Sequence, residues 1–166
     1  MGIRRPSPLV IPYQYHAMAD LATNRRAQFD YEILETYEAG VELRGFEVKS
    51  VRAGRMELAG AFVIIRGGEA WLVNTSIPPY QNVNTPADYD PARPRRLLLH
   101  RRELEELIGT SSQRGLTLAV VRVYTKGPRI KVGFGLARRR KKHDERERIR
   151  EREDSRKIDR ALKEEH

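Results

Sequence analysis

Large apolar side chains are distributed unevenly along the chain, and this limits where a fold can form. Most of them lie between residues 24 and 137, whereas residues 138–166 contain only three. A segment with so few apolar side chains cannot bury enough surface to offset the entropy lost on ordering. We therefore expect a folded body over residues 24–137, a flexible, proline-containing extension over residues 1–23, and a basic tail over residues 138–166 that is disordered in isolation.

Two β-hairpins are predicted by strand-like runs on either side of a turn signal. Phe62–Arg66 and Ala70–Val73 flank Gly67-Gly68, and both glycines accept the positive φ of a two-residue hairpin turn. Leu116–Tyr124 and Arg129–Leu136 form the second pair, on either side of a Gly-Pro dipeptide. Short antiparallel strands of this kind indicate a mainly β body.

The rest of the body is predicted to add another hairpin and at least one helix. Phe29–Glu38 has strand-like alternation up to an Ala-Gly turn signal, and Val41–Phe46 is its expected partner. Arg101–Ile108 places its leucines and isoleucine on one side of a helix that should stop at Gly109. Periodicity leaves Glu47–Arg52 open between a helical turn and a continued strand.

These elements predict a small antiparallel β-barrel with one to three short helices. The OB-fold, a five-stranded Greek-key barrel that commonly binds nucleic acid, fits this pattern. An SH3-like barrel fits it as well, so the pattern alone does not choose between them.

The chain is strongly basic, and its charge is concentrated at the two ends. The formal net charge is +9, of which residues 1–27 carry +3, residues 138–166 carry +4 and the long middle only +2. A charge of this sign and size favours polyanionic partners such as RNA, DNA or an acidic membrane face. The pattern indicates a nearly balanced folded body with basic arms.

Residues that several enzymatic chemistries require are missing or scattered. The chain has no cysteine, which excludes disulfides, thiolate metal sites and cysteine nucleophiles. The four histidines lack a metal-ligand spacing, and neither a GxxxxGK(S/T) nor a GxSxG motif is present. No run approaches the roughly 20 apolar residues that span a bilayer, and the N-terminus does not resemble a signal peptide. We expect a cytoplasmic protein that is not an enzyme and uses no cofactor, metal or membrane.

Two clusters of cations are candidates for RNA contact. Arg93–Arg96 and Arg101-Arg102 bracket a run of three leucines, which could anchor the backbone from which the arginines reach phosphates. Arg138–Lys142 is a run of five cations at the start of the tail. Each cluster also has a simpler explanation, because an exposed loop and a solvated tail would show the same composition.

Several blocks of the chain resemble SsrA-binding proteins, in one order and at the expected spacings. The block Leu43–Gly54 resembles the most recognisable part of that family. The other similar blocks are Asn24–Ala27, Tyr37–Val41, Arg95–Glu103, Gly135–Ala137 with the basic run that follows, and Ile149–Glu153.

This resemblance implies a fold and a function. The family has an OB-fold that binds the tRNA-like domain of transfer-messenger RNA and delivers it to stalled ribosomes for trans-translation. The resemblance further implies one protein monomer per RNA, with the tail probing the empty mRNA channel near the small-subunit decoding centre and becoming helical there.

The resemblance also implies which residues carry these functions. The expected RNA-binding residues are Asn24, Arg25, Arg26, Glu38, Gly40, Lys49, Ser50, Arg52, Gly54, Arg95, Arg96 and Leu98. The expected ribosome-contacting residues of the tail are Arg138, Arg140, Lys141, Lys142, His143, Asp144 and Arg146.

Different chemical roles are expected within these sets. The arginines and lysines should contact phosphates, and Gly54 should permit close approach. Asn24 and Ser50 should contact sugars or base edges. Glu38 should accept a hydrogen bond from a base or orient a neighbouring arginine. His143 should stack on a base of the decoding centre.

Two positions depart from the family pattern, and alternatives to the family function remain. Arg139 stands where the family has glycine and Glu145 where it has a cation, so the ribosomal step rather than RNA binding is put in doubt. A ribosomal or ribosome-assembly protein that binds rRNA, or an OB-barrel nuclease, would share the barrel and the basic tail. Because Met18 closely precedes the first family-like block, we also consider a translation start at Met18.

Overall fold

The computed structural model describes residues 19–164, with side chains described throughout except at residues 142–145. The elements in chain order are β1 Asp20–Thr23, α1 Arg25–Asp30, β2 Tyr31–Val41, α2 Gly45–Arg52, β3 Phe62–Arg66, β4 Glu69–Val73, β5 Arg95–Leu98, α3 Arg101–Ser111, β6 Leu116–Lys126, β7 Arg129–Arg139 and α4 Lys142–Glu164. The expected start at Met18 and most of the expected flexible extension lie outside the described residues. β1 occupies the last part of that extension.

The strands form an antiparallel sheet that closes into a barrel. The strand order is β1-β6-β3-β4-β5-β2-β7, and an additional β6–β7 pairing closes it. The long strand β7 pairs with β2 on one side and with β6 on the other. The prediction of a mainly β, antiparallel fold is confirmed, and the closed sheet is compatible with a small OB-like barrel.

The barrel interior and the helices that cover it form one apolar core. Tyr37 stacks on Phe134 inside it, with ring centroids 5.5 Å apart. Helix α2 contributes Val51 and helix α3 contributes Leu107, and both side chains are wholly buried. Complete burial of each such side chain stabilises the fold by about 1.5–3 kcal/mol, so the two helices are held to the barrel by packing.

The predicted hairpins around Gly67-Gly68 and Gly127-Pro128 are confirmed as β3–β4 and β6–β7. The third predicted hairpin is wrong. Phe29 lies in α1, and β2 runs through Ala39-Gly40 without turning, because Gly40 is paired with Leu98 of β5 and Lys131 of β7. The expected partner strand instead leads into α2. A capping interaction supports this helix, since Glu47 Oε1 accepts a hydrogen bond from Arg44 N at 2.9 Å.

Other elements differ from the predictions in extent. Helix α3 continues past Gly109 to Ser111, and β7 continues past residue 137 to Arg139. The short elements β1, α1 and β5 were not predicted. Their lengths of four, six and four residues are too short for periodicity to reveal them.

The tail forms helix α4 in the structure, which differs from the expected disorder and brings the described helices to four. Arginine, lysine and glutamate are strong helix formers. Glu153 and Lys157 have the acid-before-base spacing of four residues that supports an exposed helix. Nearly all described side chains of α4 are exposed, and its Arg152 guanidinium carbon lies 5.9 Å from the centre of the Phe29 ring.

Candidate nucleic-acid interface

Neighbouring strands present four cations and two glycines, together with Glu38, Leu98 and Tyr124, on the outside of the barrel. In β2, Glu38 and Gly40 alternate with the buried Tyr37 and Ala39, so they lie on the outer side. The strand pairings place Gly133, Lys131 and residues of β6 and β5 beside them. We call this surface the barrel face; its members are Glu38, Gly40, Leu98, Arg122, Tyr124, Lys126, Arg129, Lys131 and Gly133.

A cleft opens at one end of the barrel face, where helix α2 adjoins it. Its volume is about 380 Å³, and Gly40, Leu98, Arg52, Arg129 and Lys131 all line it. Leu98 is 47% exposed, and a Cβ added to Gly40 would lie 3.3 Å from the Leu98 Cβ, so the glycine leaves room for this side chain. Further apolar side chains line the cleft: Val41, Leu43, Val48 and Ile130.

The cleft combines apolar surface with three cations. Arg52 is held in place, since its Nη2 donates to the Pro128 carbonyl at 2.8 Å. An exposed apolar side chain can contact a splayed base, and neighbouring cations can reach the flanking phosphates. The sequence prediction included Arg52, Gly40 and Leu98 but missed Arg129 and Lys131. The β2–β7 pairing places Lys131 opposite Gly40, and Arg129 lies two residues before Lys131 in β7; the wrong hairpin prediction concealed this pairing.

Glu38 lies at the centre of a second group on the barrel face, the Glu38 cluster (Glu38, Arg122, Tyr124 and Lys126). Glu38 accepts hydrogen bonds from the Tyr124 hydroxyl and, at 3.0 Å, from Lys126 Nζ. The Arg122 guanidinium lies over the Tyr124 ring, 4.2 Å from its centre. Burial acts to raise the pKa of Glu38, but the donors Tyr124 and Lys126 outweigh it and hold the pKa below its usual value.

Arg95, which the sequence predicts to contact phosphate, is wholly buried in the structure and is engaged by other side chains. Its Nη2 donates to Glu47 Oε2 at 2.6 Å and to the Tyr89 hydroxyl at 3.0 Å. Arg93 forms a second ion pair with Glu47. We call these residues, Glu47, Tyr89, Arg93 and Arg95, the Glu47 cluster. It fastens the segment before β5 to helix α2.

Asn24 and Ser50, which the sequence predicts to contact sugars or base edges, form hydrogen bonds within the fold. Asn24 caps α1 by accepting from Ala27 N at 3.1 Å, and its Nδ2 donates to the carbonyls of Leu58 and Val120. Ser50 is wholly buried and donates to the Pro78 carbonyl at 2.6 Å. Neither side chain retains an exposed polar group for RNA.

The remaining predicted residues lie on the surface in different settings. Lys49 is exposed on α2, while Arg96 is half-exposed and ion-paired with Glu42 and Glu69, at 3.2 Å each. Gly54 has a φ of +75°, so the turn after α2 requires glycine there. Arg25 and Arg26 are exposed on α1, and Arg26 pairs with Asp30 at 3.3 Å.

Comparison with known proteins places these features in a family. The family model for SmpB protein matches residues 21–164. The SsrA-binding protein of Thermosynechococcus vestitus is 50% identical over 86% of this chain and 94% of its own length. That of Roseiflexus castenholzii is 51% identical over 87% of this chain and 91% of its own. The chain belongs to the SsrA-binding protein (SmpB) family.

A solved structure described as "tmRNA-SmpB: a journey to the center of the bacterial ribosome" contains a similar chain. The two are 48% identical with a TM-score of 0.61, over 73% of this chain and 85% of the other. The family resemblance inferred from the sequence blocks is therefore confirmed. The blocks themselves mix surface and buried residues, since the Leu43–Gly54 block contains both Arg52 and the buried Glu47 and Ser50.

The SmpB tail residues lie where the barrel joins helix α4. Arg138 and Arg139 end β7 opposite Glu32 and Tyr31, and Arg140 N donates to the Asp30 carbonyl at 2.9 Å. Lys141 and Arg146 are exposed. The backbone of the remaining predicted tail residues lies in the first turn of α4: Lys142, His143 and Asp144.

Among the described side chains, those of residues 19–141 and 146–164, no group of three or more histidine, aspartate or glutamate residues is placed to hold a metal ion. No described helix is both long and apolar enough to cross a membrane.

Proposed function

We propose that this chain binds the tRNA-like domain of transfer-messenger RNA through the cleft and the barrel face, and delivers it to stalled ribosomes for trans-translation. The observation that carries the proposal is the exposed Leu98 beside Gly40, rimmed by Arg52, Arg129 and Lys131. The names of its relatives, which are SsrA-binding proteins, support the same RNA. This role places the chain in the cytoplasm, with one monomer on each RNA.

The chemistry of the cleft suits a folded RNA with unpaired loops. Leu98 offers an apolar surface on which an unstacked base can rest, and the three cations neutralise nearby phosphates. The Glu38 carboxylate is already engaged by Tyr124 and Lys126, so it adds little repulsion toward phosphate. Direct RNA contact is assigned to these exposed residues, while Asn24, Ser50 and Arg95 support the fold beneath them.

The test is a binding measurement with two RNAs of equal length, the tRNA-like domain of transfer-messenger RNA and an rRNA fragment, at one salt concentration. We expect a clear preference for the tRNA-like domain, because unspecific phosphate contact alone would not distinguish the two. Equal affinity would contradict the proposal and favour an rRNA-binding protein. Cleavage of either labelled RNA would favour a nuclease.

We further propose that helix α4 enters the empty mRNA channel of the stalled ribosome and reports its vacancy to the decoding centre. Its described side chains are nearly all exposed and many of them are charged, and a phosphate-lined channel would bind such a surface. Truncation after Arg140 tests this role, because it leaves the β2–β7 pairing intact. We expect nearly unchanged RNA affinity and loss of ribosome rescue. A large loss of RNA affinity would contradict the assignment of RNA binding to the barrel and of the ribosomal step to the tail.

A further inference from the structure

The hydroxyl of Tyr124 lies in an unusual position for a surface strand residue. Tyr124 is on the barrel face, yet it is only 3% exposed, because the Arg122 guanidinium covers its ring. Gly133 of β7 lies directly beside it, and a Cβ there would come within 3.4 Å of Tyr124 Cε1 and 3.3 Å of Arg122 Cγ. The missing side chain of Gly133 thus makes room for the ring and the arginine stem.

This packing fixes what the hydroxyl can do. It donates to Glu38 Oε2, while Lys126 Nζ donates to Oε1 at 3.0 Å, so each carboxylate oxygen has its own donor. Arg122 is fixed as well, since its Nη1 donates to Asp20 Oδ1 at 3.1 Å. The Glu38 carboxylate is therefore oriented by a rigid phenol and a lysine instead of moving freely in solvent.

We propose that Tyr124 is a positioning residue for RNA binding, which acts through Glu38 by holding its carboxylate in a pair with Lys126. This inference rests on the proposed function and adds a residue to it. Gly40, two residues from Glu38 on the same face of β2, lines the cleft with Leu98. A carboxylate that swung away from Lys126 would present an unpaired negative charge beside the RNA and release the lysine from its place.

The titration behaviour of the two partners agrees with this arrangement. Burial and the adjacent Glu38 charge raise the pKa of Tyr124 above that of a free phenol, so it remains a donor throughout the neutral range. Despite the opposing effect of burial, Tyr124 and Lys126 lower the pKa of Glu38, and Lys131 contributes further in the same direction. Glu38 therefore remains an acceptor under the same conditions.

The test compares Tyr124→Phe, Glu38→Gln and the double variant of the full-length protein. Phenylalanine preserves the ring, its contact with Arg122 and its fit against Gly133, and removes only the hydroxyl. Tyr37→Phe is the matched control, because it removes a hydroxyl that donates to Glu35 at 2.8 Å, from a ring stacked in the core. Affinity for the tRNA-like domain is measured for each, and the Glu38 carboxylate of the free protein is titrated by carbon-13 NMR.

We expect Tyr124→Phe to weaken RNA binding about 3- to 10-fold, the net contribution of an ordinary hydrogen bond, because the hydroxyl acts on the RNA only through Glu38. The double variant should bind no more weakly than Glu38→Gln alone, and Tyr124→Phe should raise the pKa of Glu38. Tyr37→Phe should do neither. The inference is overturned by wild-type affinity in Tyr124→Phe, by multiplying losses in the double variant, or by an unchanged Glu38 titration. A wild-type protein without preference for the tRNA-like domain would instead overturn the proposed function, before any variant is compared.

Discussion

Glu38 and Glu47 have similar partners in two contrasting regions of the molecule. Each carboxylate binds a tyrosine hydroxyl and at least one cation, but the Glu47 side chain is wholly buried and that of Glu38 is 34% exposed. The Glu47 cluster joins the segment before β5 to α2, whereas the Glu38 cluster lies on the barrel face. The contrast teaches that burial, and not residue type, separates charges that hold the fold from charges that are available to RNA.

The largest expected effect comes from breaking the buried cluster. Arg95→Ala removes the wholly buried partner of Glu47, which makes two hydrogen bonds to its Oε2, and removing one member of a buried pair costs about 3–5 kcal/mol. Arg129→Ala on the exposed rim of the cleft is the control and should change stability by less than about 0.5 kcal/mol. Urea unfolding of both variants measures the difference. Equal losses of stability in the two variants would contradict the claim that the Glu47 cluster stabilises the fold and the rim of the cleft does not.

Two adjacent leucines of β5 sharpen the same comparison. Leu97 is 3% exposed and Leu98 is 47% exposed. Leu97→Ala should destabilise the fold by about 2–5 kcal/mol through the cavity it leaves, while Leu98→Ala should cost well under that. Binding of the tRNA-like domain, measured on folded protein, should weaken for Leu98→Ala. If Leu98→Ala unfolded the barrel as readily as Leu97→Ala, Leu98 would belong to the core and not to the RNA surface.

Salt dependence distinguishes phosphate contacts from other contacts. Replacing Arg52, Arg129 or Lys131 by alanine should lower the slope of log K against log salt by about 0.7–0.9 for each contact, because fewer counterions are released on binding. Leu98→Ala should weaken binding without changing this slope, since leucine carries no charge. Titrations with the tRNA-like domain at several salt concentrations give the slopes. A full change of slope in the Leu98 variant would contradict these roles.

The smallest effect concerns acid stability. The pKa of Glu47 is lowered: although burial acts to raise it, the bonds from Arg93, Arg44 and Arg95 outweigh burial. A carboxyl with a lowered folded-state pKa contributes stability above its unfolded pKa, about 4.3, and this contribution is lost as the pH falls through the folded value. The contribution of Glu38 to stability should depend on pH in the same direction but should be smaller, because solvent screens this carboxylate.

Acid unfolding of Glu47→Gln and Glu38→Gln compares the two carboxyls. At neutral pH each variant should have a lower free energy of unfolding than the wild-type protein. This difference should become smaller below about pH 4, and the change should be larger for Glu47→Gln than for Glu38→Gln. A larger loss for Glu38→Gln would reverse the assignment of the buried and exposed clusters.

The sequence predicted the β class, two hairpins and the family, because these depend on local turn chemistry and on several blocks in order. It did not predict the path of β2. The Ala39-Gly40 dipeptide suggests a turn, but in the structure it lies within β2, which pairs with β5 on one side and with β7 on the other. That one pairing concealed Lys131, which lies opposite Gly40, and Arg129, which lines the same cleft. The burial of Arg95 could not be predicted either, because its partner Glu47 lies 48 residues away.

The tail shows a different limit of prediction. It contains only three large apolar side chains, which predicts that it cannot form a core, and its described side chains in α4 are nearly all exposed. The same composition is rich in helix formers, so the absence of a core does not imply the absence of a helix.

Arginine side-chain NMR of the full-length protein tests the division between fold and RNA surface most directly. The Nε–H signals of Arg52, Arg129 and Arg95 are recorded before and after addition of the tRNA-like domain. We expect the Arg52 and Arg129 signals to shift on binding, whereas Arg95, held by Glu47 Oε2 at 2.9 Å from its Nε, keeps its signal unchanged. A shift at Arg95 as large as at the other two, or unchanged signals at Arg52 and Arg129, would contradict the assignment of RNA contact to the cleft.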